Sequence, residues 1–188
     1  FNTIWAEIKI AAGEYRDACR IIDQINKERS TNLALYALGH ANYVSAYMNF
    51  LLGDFDAALR DIKKLCCMEK RDAPFYEHEL ALALKARIYF ERGYVHKATM
   101  LLRNLDKKVA QKHWPYQMCI IKLHLAEILI KQQKFDLAEK LANRSIKLAQ
   151  AMQSNILICQ GHLLLGLICS KIHYPAKMSK IDCRDMST

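Results

Sequence analysis

Apolar residues recur three and four places apart along most of the chain, as in Leu125, Ile128 and Leu129 and again in Leu137, Leu141 and Leu148. Charges such as Lys134, Asp136, Glu139 and Lys140 fill the places between. A 3.6-residue helix gathers positions so spaced onto one face, whereas a half-buried strand needs strict alternation. The pattern predicts one amphipathic helix after another.

Shifted against itself by 40 residues, the chain lines up columns of like residues. Gly13, Gly53, Gly93 and Gln133 share one column; Ala6, Ala46, Ala86, Ala126 and Gly166 share a second; Ala18, Ala58, Ala98 and Ala138 a third; Tyr15, Phe55, Val95 and Phe135 a fourth. Several coincident columns at one fixed period signal a solenoid of helix pairs. The two small-residue columns fall on the first (A) and second (B) helix of each pair, where missing bulk lets the axes approach. The glycine between them ends the A helix in a left-handed conformation that a Cβ makes costly, and the aromatic two places on covers the seam. Pro74 and Pro115 stand ahead of A helices, where a missing amide donor is harmless, and Ser154 or Asn155 is placed to cap the last one.

The expected fold is all-α: a superhelical solenoid of antiparallel helix pairs near 1–27, 32–69, 74–111, 115–152 and 155–176, forming one repeat domain over 1–176. At the fifth turn His173, Pro175 and Met178 replace glycine, aromatic and alanine, so 177–188 reads as a degenerate last helix or polar tail.

Composition supports helix and removes several function classes. With 6 Gly and 3 Pro in 188 residues, 52% of them hydrophobic, the punctuation of a β-rich fold is missing. Lys122, Glu127 and Lys131 interrupt the best apolar runs before they reach the roughly 18–20 residues of a membrane span. No basic start, apolar run and small-residue cleavage site mark a secretory signal, so an intracellular protein, cytoplasmic or nuclear, is expected. The seven cysteines are odd in number and sit mostly in apolar helical stretches, which predicts buried free thiols.

Chemistry-bearing clusters are missing from the sequence. There is no Cys-x-x-Cys, and in Cys66-Cys67 neighbouring helical side chains point about 100° apart. His78-Glu79 lacks the second histidine of a zinc-protease helix, and His40, His124 and His162 are widely separated. Each turn glycine stands alone, without a phosphate-binding context. No catalytic residue, metal, cofactor or small-molecule substrate is therefore expected. The net charge of +9 raises an alternative, a regulatory module that binds nucleic acid or another acidic ligand. Lys63-Lys64, Lys107-Lys108, Lys112, Arg144 and Lys147 are dispersed over B helices and loops, however, so they read as solvated outer faces; nucleic acid and membrane are not the favoured partners.

Residues 125–140, Leu-Ala-Glu-Ile-Leu-Ile-Lys-Gln-Gln-Lys-Phe-Asp-Leu-Ala-Glu-Lys, resemble the tetratricopeptide repeat (TPR) superfamily at its small-residue, turn, aromatic and alanine positions, as do Ala46, Gly53, Phe55 and Ala58. Glutamine stands at 133 where the family has glycine. The resemblance covers nearly the whole chain. Its longer repeat is similar to those of anaphase-promoting complex subunit 5, part of a cell-cycle ubiquitin ligase, of kinesin light chains and of bacterial regulators of the maltose-activator type, with the rhythm of Ile4 to Ile25 and of Leu123 to Leu167 nearest to the subunit 5 helical region.

The resemblance implies that A helices line a concave face. The family's ligand-facing positions fall on His40, Tyr43 and Tyr47, then Ala83, Arg87 and Phe90, then Leu123, Glu127 and Ile130. That mixture suits an extended peptide or a partner helix better than a polyanion. Tyr47, Arg87, Glu127 and Leu167 occupy the place where chaperone-binding members carry asparagine, so no carboxylate clamp is expected. Trp114 and Tyr116 flank Pro115 in a B-to-A connection and are candidate interface anchors. The implied function is a non-catalytic protein–protein scaffold within a subunit of a larger assembly.

Overall fold

The 40-residue period turns out to be two alternating turns, 20 residues apart where both are seen. In the computed structural model, which describes residues 2–27, 32–69 and 77–173, the chain is all-helical, with nine α-helices and no strand among the described residues. They are α1 (Asn2–Ala11), α2 (Tyr15–Lys27), α3 (Asn32–Leu51), α4 (Phe55–Glu69), α5 (Glu77–Glu91), α6 (Val95–Gln111), α7 (Pro115–Lys131), α8 (Phe135–Ala151) and α9 (Asn155–His173). No helix of the described residues is long and apolar enough to cross a membrane.

The turns repeat one hydrogen-bond motif. The Gly13 amide donates to the Ile10 carbonyl (3.0 Å) and the Glu14 amide to that of Lys9 (2.8 Å), a Schellman closure of α1. The same two bonds recur at Gly53, Gly93, His113, Gln133 and Gln153. All six residues are left-handed, with φ from +53° to +81°. Left-handed backbone costs a residue with a Cβ about 1–2 kcal/mol, so His113, Gln133 and Gln153 are held there by the packing of the helices they join. At the glycines a Cβ would meet nothing within 4 Å, which makes their role conformational alone. Pro115 occupies the first turn of α7, as expected. Asp54 caps α4 by accepting from the Ala57 amide (2.9 Å). Pro74 lies outside the described residues.

Contacts divide the expected repeat domain into two compact units, Phe1–Tyr94 and Val95–Thr188. In the first, α1 packs on α2 and α3 on α4, while α1, α3 and α5 lie side by side. In the second, α7 packs against α6, α8 and α9, and α8 against α9. Ala6, Ala46, Ala86 and Ala126 are 0% exposed, and so are Ala18, Ala58, Ala98 and Ala138. Both alanine columns thus mark close helix approach. Tyr15, Phe55, Val95 and Phe135 are half-buried over the seams.

Three expectations need correction. Leu137 is 52% exposed, not part of the inner face of α8, because Ala138, Ala142, Ser145, Ile146 and Ala149 form that face and the small size of all but Ile146 draws α7 and α9 too close for a leucine beside them. Gly166 is exposed, with nothing within 4 Å of where its Cβ would be; the glycine at a close approach is Gly161, buried against Ile146. Of the six described cysteines, none in a disulfide, only Cys119 is buried; Cys66 is intermediate, and Cys19, Cys67, Cys159 and Cys169 are exposed. The helix α9 continues through His173, and residues 174–188, including Pro175, Met178 and the expected tail, lie outside the described residues.

Candidate protein-binding face

The first unit sets three A helices in one layer, and the 40-residue register places Glu7 on α1, Tyr47 on α3 and Arg87 on α5 at equivalent positions. Tyr47 is 41% exposed, the most accessible large side chain in the central part of α3. The half-buried Arg87 guanidinium lies over the Phe50 ring, 5.4 Å from its centroid, and Phe50 packs on Phe55 at 5.8 Å. The planar cation is thereby held at the surface with its rotamer constrained. Phe90 is half-buried and Ala83 fully buried. Tyr43 is half-buried and packs against two hydrophobic clusters of this unit.

His40 is a tie between helices more than a ligand contact. Its Nδ1 lies 2.9 Å from Glu77 Oε1 on α5, and its buried Nε2 lies 3.4 Å from Glu7 Oε1 on α1, an ion-pair contact without hydrogen-bond alignment. The Glu7 and Glu77 carboxylates raise its pKa to about 9 against the opposing effect of burial, with Glu77 the geometrically closer partner. A raised folded-state pKa stabilises fully below the unfolded value of 6.5 and is lost as pH rises through about 9. The first unit is therefore expected to lose about 1–2 kcal/mol between pH 6.5 and pH 9–10, a figure discounted for the partial exposure of the three side chains. Urea titrations read by Trp5 fluorescence in a Trp114→Phe chain should show that slope, and His40→Gln should flatten it. An imidazole resonance titrating near pH 6.5 would contradict the arrangement.

The second unit treats the equivalent positions differently. Leu123 and Ile130, expected to face a ligand, are buried core residues, because α9 and α8 pack over α7. Glu127 is half-buried, its Oε2 3.8 Å from His124 Nδ1. Leu167 carries the register onto α9 and is 50% exposed. Trp114, the residue before α7, is half-buried under the Lys112 ammonium, which sits 4.1 Å from its ring centroid; this ties the turn together and leaves Tyr116 as the more exposed of the two expected anchors.

Buried polar groups here are structural ties. Cys119 and Ser145 join α7 to α8, with Sγ and Oγ 2.8 Å apart and Ser145 Oγ donating to the Cys119 carbonyl at 3.1 Å. Burial pushes the Cys119 thiol up, outweighing the Ser145 contact and Lys122, so it stays protonated and poorly nucleophilic. Among the described residues no group of three or more His, Cys, Asp or Glu is placed to hold a metal ion.

Extending the register back to α1 would have found Glu7, which sequence reasoning missed by starting from the second pair. The signal was present, since Glu7 follows Ala6 as Tyr47 follows Ala46. Comparison of the chain with family models, with curated proteins and with solved structures gives no match.

Proposed function

We propose that this chain is a non-catalytic protein-interaction scaffold of TPR-like superhelical type, a module within a subunit of a multiprotein assembly. The observation that carries the reading is an exposed aromatic, Tyr47, set mid-helix in a three-helix layer between Glu7 and Arg87 at matching register. A surface that is mostly satisfied but presents a Tyr and a ring-stacked Arg has the composition of an interface hot spot. The rigid helix layer keeps the ordering cost of binding low, so an extended segment or partner helix can lie across α1, α3 and α5. The buried alanine columns and the recurring Schellman turns support the TPR-like reading. The resemblance to the anaphase-promoting subunit makes a cell-cycle ubiquitin ligase, in nucleus or cytoplasm, the first assembly in which to look.

Pull-down with mass spectrometry, followed by titration of the purified partner, tests this. Tyr47→Ala should weaken binding by about 2 kcal/mol, roughly thirtyfold in Kd, with the circular dichroism unchanged. An unchanged Kd for both Tyr47→Ala and Arg87→Ala would remove this face from the interaction.

A further inference from the structure

Net charge is segregated between the two units. Residues 1–94 carry 13 Lys or Arg and 13 Asp or Glu, whereas residues 95–188 carry 15 and 6, so the whole +9 belongs to the second unit. Its exposed cations concentrate on α6 and α8, both of which pack on α7. On α8, Leu137, Lys140, Arg144 and Lys147 are exposed at spacings of three, four and three, which puts them in one stripe. On α6, Met100, Arg103 and Lys107 are exposed at spacings of three and four and form a second stripe. Each stripe begins with an exposed large apolar side chain, Met100 at 46% and Leu137 at 52%.

These cations are uncompensated. Arg103, Lys107, Lys140, Arg144 and Lys147 have no carboxylate partner among the described residues. From 140 to 151 α8 contains no acid, and the single acid of α6, Asp106, is held by Lys122. Isolated exposed cations mean little, but cations at one-turn spacing beside an apolar residue, with no ion pair to an acid of the described residues, form an array with a preferred counterpart.

We infer that the B-helix stripes of the second unit bind an acidic protein segment carrying Asp or Glu at helical spacing together with an apolar residue. Carboxylates one turn apart match the cations of α8, and Arg103 and Arg144 can take theirs bidentately. Leu137 and Met100 decide between macromolecules. A phosphodiester backbone has nothing to set against them, and the stripes hold no aromatic on which a base could stack, whereas an acidic segment with a leucine covers both features. One apolar side chain per helix is also too little to anchor in a bilayer. Charge attraction would act mainly on the association rate and the apolar contact on residence.

The test uses the full chain and a fluorescein-labelled peptide with glutamates at helical spacing around a leucine, read by anisotropy. Binding should weaken steeply with salt, vanish for the peptide with glutamine in place of glutamate, and fall on the order of tenfold for Arg144→Glu, with Arg144→Gln between. Circular dichroism establishes that both variants fold. Equal affinity for the glutamine peptide, no effect of Arg144→Glu, or tighter binding of duplex DNA, single-stranded RNA or phosphatidylserine vesicles than of the acidic peptide would each overturn the assignment. Tyr47→Ala should leave this binding unchanged, so the first unit's face and this one stand or fall separately.

Discussion

Asp106→Ala is expected to lower the stability of the second unit by about 3 kcal/mol, and Lys122→Met added to it should recover most of that loss. Lys122 is 9% exposed on α7 between the buried Ile121 and Leu123, and its ammonium meets Asp106 of α6 at 2.5 Å. Removing the carboxylate leaves a buried cation with its counter-charge gone, whereas removing both charges leaves an apolar pair in an apolar place. The asymmetry distinguishes a buried tie from a surface pair, for which single and double variants would each differ from wild type by less than about 1 kcal/mol. Trp114 stands directly before α7, so its fluorescence in a Trp5→Phe background follows urea unfolding of this unit. A loss below about 1 kcal/mol for Asp106→Ala, or a double variant no better than the single, would show that the pair is solvated in practice.

The helical layout was legible because two physical constraints repeat. Each turn needs a left-handed residue and each close approach needs a small one, so the glycine and alanine columns mark turns and contacts together. Where a side chain overrides the turn preference, as at His113 and Gln153, the sequence carries no such mark. Leu137 was misplaced for a related reason: hydrophobicity suggests burial, but the helices here meet through alanine and serine, and a leucine beside so narrow a seam is displaced outward.

The site was legible by register and obscured by tertiary packing. Tyr47 and Arg87 follow directly from the column after the small residue, whereas Leu123 and Ile130, in register with Tyr43 and Phe90, are covered once α8 and α9 dock. Polar partners across helices were not legible at all. Asp61 is buried on α4 and accepts from Ser45 (2.7 Å) and Asn49 (3.1 Å) of α3 and from Lys64 (2.7 Å); periodicity identifies its face but not its partners. Averaging charge over the whole chain likewise hid a neutral first unit beside a basic second one.

Gly161→Leu should be about as damaging, destabilising the second unit by about 3 kcal/mol, at the upper end of overpacking penalties. Gly161 is buried where α9 crosses α8, and a Cβ built there would fall 2.4 Å from Ile146 Cγ1 and 3.1 Å from Cδ1. Real Cβ atoms do not approach so closely, and Ile146 cannot swing aside cheaply, since its branched Cβ restricts χ1 and it is itself 6% exposed. Gly161→Ala divides the effect. It gains up to about 1 kcal/mol of helix propensity and meets only the two Cβ contacts, without the further atoms of leucine, so its net cost should be smaller than that of leucine. Ile146→Ala alone should cost about 2–4 kcal/mol through the cavity it leaves, but combined with Gly161→Ala or Gly161→Leu it supplies the missing room. The double variants should therefore be more stable than the sum of the singles predicts, by more than about 0.5 kcal/mol. Gly166→Ala on the same helix is the control: nothing lies within 4 Å of its Cβ position, so it should be neutral or slightly stabilising. Additive losses at Gly161 and Ile146, or a Gly166→Ala chain as damaged as Gly161→Ala, would mean that α8 and α9 do not meet at this glycine.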